Sequence, residues 1–240
     1  MVFNDTTTKQ GLLQDCEMIL FNEYGKITDN SDLLFHFTHL LNRQYDKAVS
    51  IIIEHDGRWQ YDDGSYTTTA IFDADLVSGQ RNYTIDAEHL KVTMVRVKDS
   101  AGNYRVLRPI DQNDPEGFLL ANETTPETTG QPIFYDKTGD QCRLYPTPNY
   151  SQAASLEFTV QRVPNYFVST DTTKEAGIAP VYHRFLSLGA ALDYAVVNSL
   201  AVKNDLSELY RDERERMVEF YMRRNRDESK YLRVTRRSSR

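Results

Sequence analysis

The sequence has few of the residues that mark disulfide-rich, metal-binding or membrane proteins. Its 240 residues include two cysteines, Cys16 and Cys142, too few for a disulfide framework or a cysteine-based metal motif. No apolar run approaches the roughly 20 residues that a membrane-spanning helix needs. The first residues lack the basic and apolar segments of a signal peptide. These absences predict reduced, structural cysteines, no contact with a membrane, and synthesis in the cytosol.

Motifs of catalysis are also missing. The sequence contains no G-x-S-x-G, no P-loop and no G-x-G-x-x-G. His36 and His39 are three residues apart on a predicted helix, but no HExxH and no further ligands accompany them. Asp73 and Asp75 form a D-x-D beside threonine-rich strands and a turn, a setting that favours solvated loop carboxylates. The sequence therefore predicts a protein that is not an enzyme and that holds no metal and no cofactor.

The charges are distributed unevenly along the chain. Residues 211–240 hold eleven Lys/Arg and six Asp/Glu, a net charge of +5, which leaves −12 for residues 1–210 of the total of −7. No acidic residue follows Glu228. Such an end-loaded asymmetry is typical of an interaction tail. The residues predicted to dock on a partner are Lys230, Tyr231, Leu232, Arg233, Val234, Arg236, Arg237 and Arg240.

Apolar residues at three- and four-residue spacing predict four helices, two near each end of the chain. The first is expected over residues 8–24, between an N-cap at Thr8 and a stop at Gly25. The second runs from Ser31 to about residue 54, the third begins with Pro180 in its first turn, and the fourth begins at residue 204 or 205. The residues expected to be buried between them are Leu34, Phe37, Leu41, Phe185, Leu188 and Leu192.

Between the helix pairs, short strands alternate with turns. Strands are predicted over residues 67–72, 83–85, 91–98, 104–107, 133–135, 143–145 and 156–163. In the third of these, Val92, Met94 and Val97 are apolar, and one face of the strand is expected to contact water because its other residues include Lys91, Thr93, Arg96 and Lys98. Residues 111–130 are polar around a short apolar island and predict a long loop.

Together these patterns predict an α+β fold. Helix pairs from residues 1–56 and 178–230 are expected to form one helical bundle, and an antiparallel β-sandwich or meander over residues 57–177 is inserted between them. Residues 231–240 form an extended basic C-terminal tail. The bundle follows because neither helix pair is long enough to bury its apolar stripe alone.

The order of these features resembles the head-to-tail connector proteins of tailed bacteriophages, the adaptor or neck-ring proteins, and among them the tail tubular protein A type. The resemblance spans roughly residues 8–235, and the order of the pieces carries it. The pieces are LNRQYDKA (41–48), DGRW (56–59), VRVKDSAGNY (95–104), LRPID (107–111), GQPIFY (130–135), LYPTP (144–148) and APVYHRFL (179–186).

The resemblance implies a virion structural protein in the neck, between capsid and tail, that is assembled in the host cytoplasm. Copies of the chain form a ring, commonly a dodecamer, that docks on the portal protein. The ring lets double-stranded DNA pass without specific contacts during genome packaging and ejection. On its other side the ring contacts a tail tube, a nozzle or a further neck ring. The C-terminal tail is then the portal-docking segment, and an acidic body helps DNA slide past it.

A different class of function fits some of the same residues. A β-sandwich that binds carbohydrate or a host surface, with the helices as an attachment stalk, would use aromatic residues such as Trp59, Tyr61 and Tyr66 to stack on sugars. An enzyme with an unrecognised site is a third hypothesis. For the basic tail, DNA phosphate is the competing target, because the same arginines bind carboxylates and phosphates.

Overall fold

The structure of the chain, a computed structural model, describes residues 1–56, 71–86, 89–110 and 129–224. These residues divide into two units. Residues 1–56 and 164–224 belong to the first unit, and the described residues from 71 to 163 belong to the second. The helices lie in the first unit and the sheets in the second, which confirms the predicted α+β class. The domain limits drawn from the sequence stay a prediction.

The helical unit contains four α-helices among its described residues. The second begins at the predicted residue, where the Asn30 side chain accepts hydrogen bonds from the backbone N–H groups of Asp32 and Leu33, at 3.0 and 3.1 Å. A short 3₁₀ turn, Pro180–Tyr182, leads into the third helix. The helices are Leu12–Phe21 (α1), Ser31–Asp56 (α2), His183–Val197 (α3) and Lys203–Arg224 (α4).

The first helix is shorter at both ends than its apolar pattern predicts. Its N-cap is Gly11 rather than Thr8. The Asp5 carboxylate accepts the N–H groups of Thr7 and Thr8, at 3.0 and 2.8 Å, and so holds this stretch in a turn. At the other end Asn22 adopts the left-handed conformation with φ of 52° and ends the helix three residues before Gly25. Side-chain capping within the loop therefore overrides the helical pattern.

The four helices pack on one shared core. Of the residues predicted to be buried, Phe37, Leu41, Phe185 and Leu188 are buried, and Leu34 and Leu192 are half-buried. Three apolar residues of α3 and α4 are exposed by more than a third: Val196, Leu209 and Phe220. Val196 lies in the last turn of α3. Leu209 precedes Tyr210, whose side chain points inward, and successive residues of an α-helix are rotated by about 100° around the helix axis, so Leu209 points away from the core.

An extended segment, residues 164–179, fastens to the helices through backbone hydrogen bonds to side chains. The Asn42 amide both donates to the Phe167 carbonyl, at 2.9 Å, and accepts the Phe167 N–H, at 2.8 Å. The Tyr221 hydroxyl accepts the N–H of Ala179 at 3.0 Å. Because these side chains come from α2 and α4, the segment ties both ends of the chain together.

The β unit contains two four-stranded sheets among its described residues. Strands Ile71–Leu76 (β1), His89–Lys98 (β3), Tyr104–Val106 (β4) and Gln152–Arg162 (β10) form the first sheet, in the order β1-β10-β3-β4. Strands Asn82–Thr84 (β2), Arg108–Pro109 (β5), Phe134–Thr138 (β7) and Gln141–Tyr145 (β8) form the second, in the order β2-β8-β7-β5. Thr129–Gly130 (β6) and Thr147–Pro148 (β9) pair separately.

Both four-stranded sheets contribute to one apolar core, as in a sandwich. The prediction of antiparallel pairing holds for most of the strands but not all, since β5 pairs with β7 and β6 with β9 in parallel. The apolar residues named for β3 contact this core at Val92 and Val97 but not at Met94. A register shift lies at Thr93, the extra residue between the pairs Val92–Val160 and Met94–Thr159, so that Val92, Val95 and Val97 contact the core while Met94 does not. A bulge of this kind reverses the alternation of side chains, and no residue of β3 signals it.

Candidate docking surfaces

The predicted docking residues of the C-terminal tail, Lys230 to Arg240, lie outside the described residues. The same is true of Trp59, Tyr61 and Tyr66, the aromatic residues of the carbohydrate hypothesis, and of residues 111–128 of the predicted long loop. The candidate surfaces presented by the molecule lie on the helices and strands that the structure describes.

The outer face of α4 carries a stripe of acidic residues. Their spacing of three, four, three and four residues places them along one side of the helix. That side lies opposite Leu206, Met217 and Tyr221, which are buried against the rest of the unit. All five members of the stripe are exposed: Asp205, Glu208, Asp212, Glu215 and Glu219. We call these five residues the acidic stripe.

Arginines flank the acidic stripe and pair with part of it. Arg211 lies 4.0 Å from Glu208 and 3.7 Å from Asp212, and Arg223 pairs with Glu219. The side chains of these pairs are more than half exposed, and such exposed ion pairs contribute little to stability, about 0–1 kcal/mol. The stripe can therefore exchange these partners for those of another molecule at small cost.

A groove of about 500 Å³ lies between α2, α3 and the first turns of α4. Its walls combine cationic and apolar side chains, with Val196 and Val197 exposed by 57% and 76% at the end of α3. Among its lining residues the one acid is Asp193. The lining residues are His36, His39, Leu40, Arg43, Leu192, Asp193, Tyr194, Val196, Val197, Lys203, Asn204 and Ser207. We call this the α2–α3 groove.

Asp193 is held by partners within the chain. Its Oδ2 lies 3.4 Å from Arg43 and 3.7 Å from Lys47, and it accepts a hydrogen bond of 2.7 Å from the amide of the buried Gln44. Tyr210 on α4 donates to the other end of the Gln44 amide, at 2.9 Å. Burial, and then the charge of Asp193, raises the pKa of Tyr210 to about 12, so that this hydroxyl stays a donor.

This network explains why glycine occupies position 189 of α3. A Cβ at Gly189 would lie 2.8 Å from the Cγ of Gln44, closer than real contacts of this kind. The polar network thus fixes the separation of α2, α3 and α4, and with it the walls of the groove.

The histidine pair and the aspartate pair discounted from the sequence have other surroundings. His36 and His39 both line the α2–α3 groove, and within the described residues no three His, Cys, Asp or Glu side chains cluster as metal ligands would. Asp75 accepts the N–H of Ala154 at 2.8 Å, where the pairing of β1 with β10 shifts register. Its carboxylate satisfies the backbone of an irregular strand, a structural role for this half of the D-x-D.

A third surface is the edge of the first sheet at β4, the outermost strand of this sheet among the described residues. Tyr104 and Val106 are exposed by 42% and 61%, and the cationic groups of Arg96 and Lys98 each lie 5.0 Å from the centre of the Tyr104 ring. Positive charge next to an edge strand is a common protection against unwanted strand pairing. This edge is therefore protected rather than built for a partner.

Comparison with known families decides the class of protein. A family model described as SU10 adaptor protein matches residues 50–238, more than three quarters of the chain. The chain belongs to the SU10 adaptor protein family. It is thus a bacteriophage adaptor, a structural component of the virion, as the order of its sequence features predicted. Among curated proteins, none matches this sequence.

The match to the family model covers some of the candidate surfaces of this adaptor and leaves out part of another. It includes the β unit, the acidic stripe of α4 and all but the last two residues of the C-terminal tail. It begins inside α2, so His36, His39 and Arg43 of the groove lie before it. None of the described helices has the length and apolar character needed to cross a membrane.

Sequence reasoning missed both the groove and the acidic stripe. The acids of α4 look like part of a densely charged face, although their three- and four-residue spacing is visible in the sequence. The groove is lined by residues 36–43 and 192–207. The apolar patterns predict that these helices pack together, but they do not predict an open groove between them.

Proposed function

We propose that this adaptor forms a ring, commonly of twelve copies, between the capsid and the tail of the phage. In this role the ring docks on the portal protein, contacts a tail tube, a nozzle or a further neck ring on its other side, and lets double-stranded DNA pass through its centre. The observation that carries the proposal is membership of an adaptor family over residues 50–238. The finer likeness to the tail tubular protein A type is part of the proposal.

The basic tail supports the docking step of this function. After Glu228 the sequence contains cations but no acids, whereas residues 1–210 carry a net charge of −12. Arginine forms paired hydrogen bonds with carboxylates, so an acidic groove on the portal is a chemically suitable target. Tyr231, Leu232 and Val234 add apolar anchors beside these charges. The acidic body limits DNA binding, since like charge opposes contact with phosphate.

The test deletes residues 231–240 and measures binding to portal rings of the same phage that have been freed of nucleic acid. We expect the deletion to abolish binding while circular dichroism and the melting temperature stay unchanged. A second variant, Arg233→Lys with Arg236→Lys and Arg237→Lys, keeps the charge but removes the paired geometry of arginine, and we expect intermediate binding. Undiminished binding of the deletion variant would contradict the docking step.

A further inference from the structure

We infer that the α2–α3 groove is the docking site for the acidic stripe of a second copy of this chain. The inference deepens the proposed function, because it rests on the ring and names the surfaces that join neighbouring subunits. The two surfaces belong to the same unit but to different elements. The stripe runs along the outer face of α4, and the groove lies between α2, α3 and the first turns of α4.

The chemistry of the groove suits an acidic, partly apolar helix face. Arg43 and Lys203 supply charge, and the imidazole N–H groups of His36 and His39 add hydrogen-bond donors. The one acid in its lining, Asp193, is already engaged by Arg43, Lys47 and Gln44. Val196 and Val197 offer apolar contact for the methylene stems of glutamates.

The acidic stripe matches the groove in sign and in form. Its five carboxylates lie on one side of a 22-residue helix, and the exposed Met222 continues the same side towards the end of α4. The arginines beside it lie at its flanks, where their exposed pairs are weak. Docking would replace several weak contacts within one helix by contacts between copies that exclude water.

A second copy suits the groove better than the other two candidate occupants. The C-terminal tail of the chain is basic, so Arg43 and Lys203 would repel it. DNA has the right sign, but its charged phosphate backbone is a poor cover for the exposed valines at the end of α3, and the acidic stripe of the same unit would repel it. The occupant therefore has to be acidic and partly apolar, as the outer face of α4 is.

The arrangement has a consequence for symmetry. Because a groove on one copy receives a stripe from the next, the contact joins two different surfaces. Such heterologous contacts generate rings when the rotation closes, whereas a contact of one surface with itself stops at a dimer. The inferred contact is thus of the kind that a ring requires.

The test reverses the charges of one surface at a time. The groove variant carries Arg43→Glu and Lys203→Glu, and the stripe variant carries Asp212→Arg and Glu215→Arg; all four positions are exposed. A control variant, Lys26→Glu with Arg184→Glu, makes the same change of charge as the groove variant at exposed positions outside both surfaces. Self-association is measured by sedimentation velocity over a range of concentrations at low salt.

We expect each variant alone to associate at least tenfold more weakly than the unaltered chain and the control variant. An equimolar mixture of the groove and stripe variants should restore association, because the acidic stripe of each groove variant then meets the intact groove of a stripe variant, and the reversed surfaces attract each other. Chemical cross-linking of the mixture should give only products that alternate the two variants.

Several results would overturn the inference. The inference is wrong if the unaltered chain does not self-associate at its highest soluble concentration. It is also wrong if the variants associate as strongly as the unaltered chain, or if mixing the two variants does not restore association. Loss of binding to a DNA oligomer in the groove variant, with unchanged self-association, would assign the groove to nucleic acid. Each of these results leaves the proposed function standing if the chain is still found in the neck of purified virions.

Misfolding of a variant is separated from loss of contact by circular dichroism and thermal melting. If the groove variant melts early because the carboxylate introduced at position 43 repels Asp193, Lys203→Glu alone replaces it. Lys203 is the first residue of α4, where the helix dipole favours a carboxylate. The single reversal therefore keeps the helix stable while it removes a cation from the groove.

Discussion

The helical unit and the β unit hold their buried polar groups in different ways. In the helical unit, polar side chains join parts of the chain that are far apart in sequence, such as Gln44 with Asp193 and Asn42 with Phe167. In the β unit, they join neighbours within a turn or a sheet: Asp99 accepts the N–H groups of Ala101 and Asn103, at 3.0 and 2.9 Å. The helical unit thus depends on the meeting of the two ends of the chain, whereas the β unit is formed by one continuous stretch.

The outer surfaces of the units differ as well. On α4 the acids are gathered on one side, whereas on β3 polar and apolar residues are mixed and cations cover the Tyr104 ring. A segregated charge pattern gives a surface an orientation that a partner can recognise. Within the described residues, the helical unit is therefore the better equipped for an oriented contact with a partner.

The largest effect expected from this difference concerns the two separate cores. Leu41 and Phe158 are fully buried, the first in the core of the helices and the second in that of the sheets. Leu41→Ala should lower the free energy of unfolding of the helical unit by about 2–5 kcal/mol, and Phe158→Ala that of the β unit by about 3–5 kcal/mol. Hydrogen exchange with mass spectrometry, read peptide by peptide, measures both.

We expect each of these substitutions to reduce protection chiefly in its own unit. Uniform loss of protection across both units after Leu41→Ala would show one cooperative structure and contradict the contrast between the units. As a control, Val181→Ala truncates a side chain that is 70% exposed and should leave both units protected.

A smaller effect tests the network of distant polar groups. Gly189→Ala should cost about 1–3 kcal/mol, because the new Cβ meets the buried Gln44 side chain. In the background of Gln44→Ala the same substitution should cost much less, since the opposing atoms are gone. A double-mutant cycle by urea denaturation measures this coupling. Equal costs in the two backgrounds would show that the close approach at Gly189 has no energetic weight.

The elements themselves were largely predictable from the sequence. Long apolar periods predicted α2 and α3, because burial of one face dominates over weak local preferences there. The start of α1 was not predictable from its pattern, since the Asp5 carboxylate captures two N–H groups that a longer helix would use. The bulge at Thr93 in β3 was likewise hidden, because it depends on the pairing with β10 rather than on the residues of β3 alone.

The candidate surfaces were predictable only in part. The basic tail stands out from composition alone, and the order of the motifs along the chain points to an adaptor without reference to the fold. The groove, in contrast, is created by residues 36–43 meeting residues 192–207, a contact between distant segments. Its cations look like ordinary solvated charges until the fold places them around one space.

The smallest effect concerns His183, a buried titratable group of the helical unit. Its Nε2 contacts the carbonyl oxygens of Ala176 and Ile178, each at 3.1 Å, and its Nδ1 lies 2.5 Å from the amino group of Met1. Because Nε2 faces two acceptors it carries the proton, which leaves Nδ1 to accept from the amino group. Burial, and then the charge of that amino group, lowers the pKa of His183 below its usual value. Glu175 acts in the opposite direction but is the weaker influence.

The lowered pKa of His183 determines the direction in which the stability of the helical unit changes with pH. As the pH falls through about 6.5, His183 gains a proton in the unfolded chain before it does so in the folded one. The free energy of unfolding therefore has its full value above this pH and decreases below it, by at most about 1.4 kcal/mol per pH unit for one proton. His183→Gln should reduce this slope between pH 7.5 and 5.5 in urea denaturation, even though the lost contacts also lower stability at every pH. An unchanged slope in His183→Gln would show that another group controls the acid sensitivity of the helical unit.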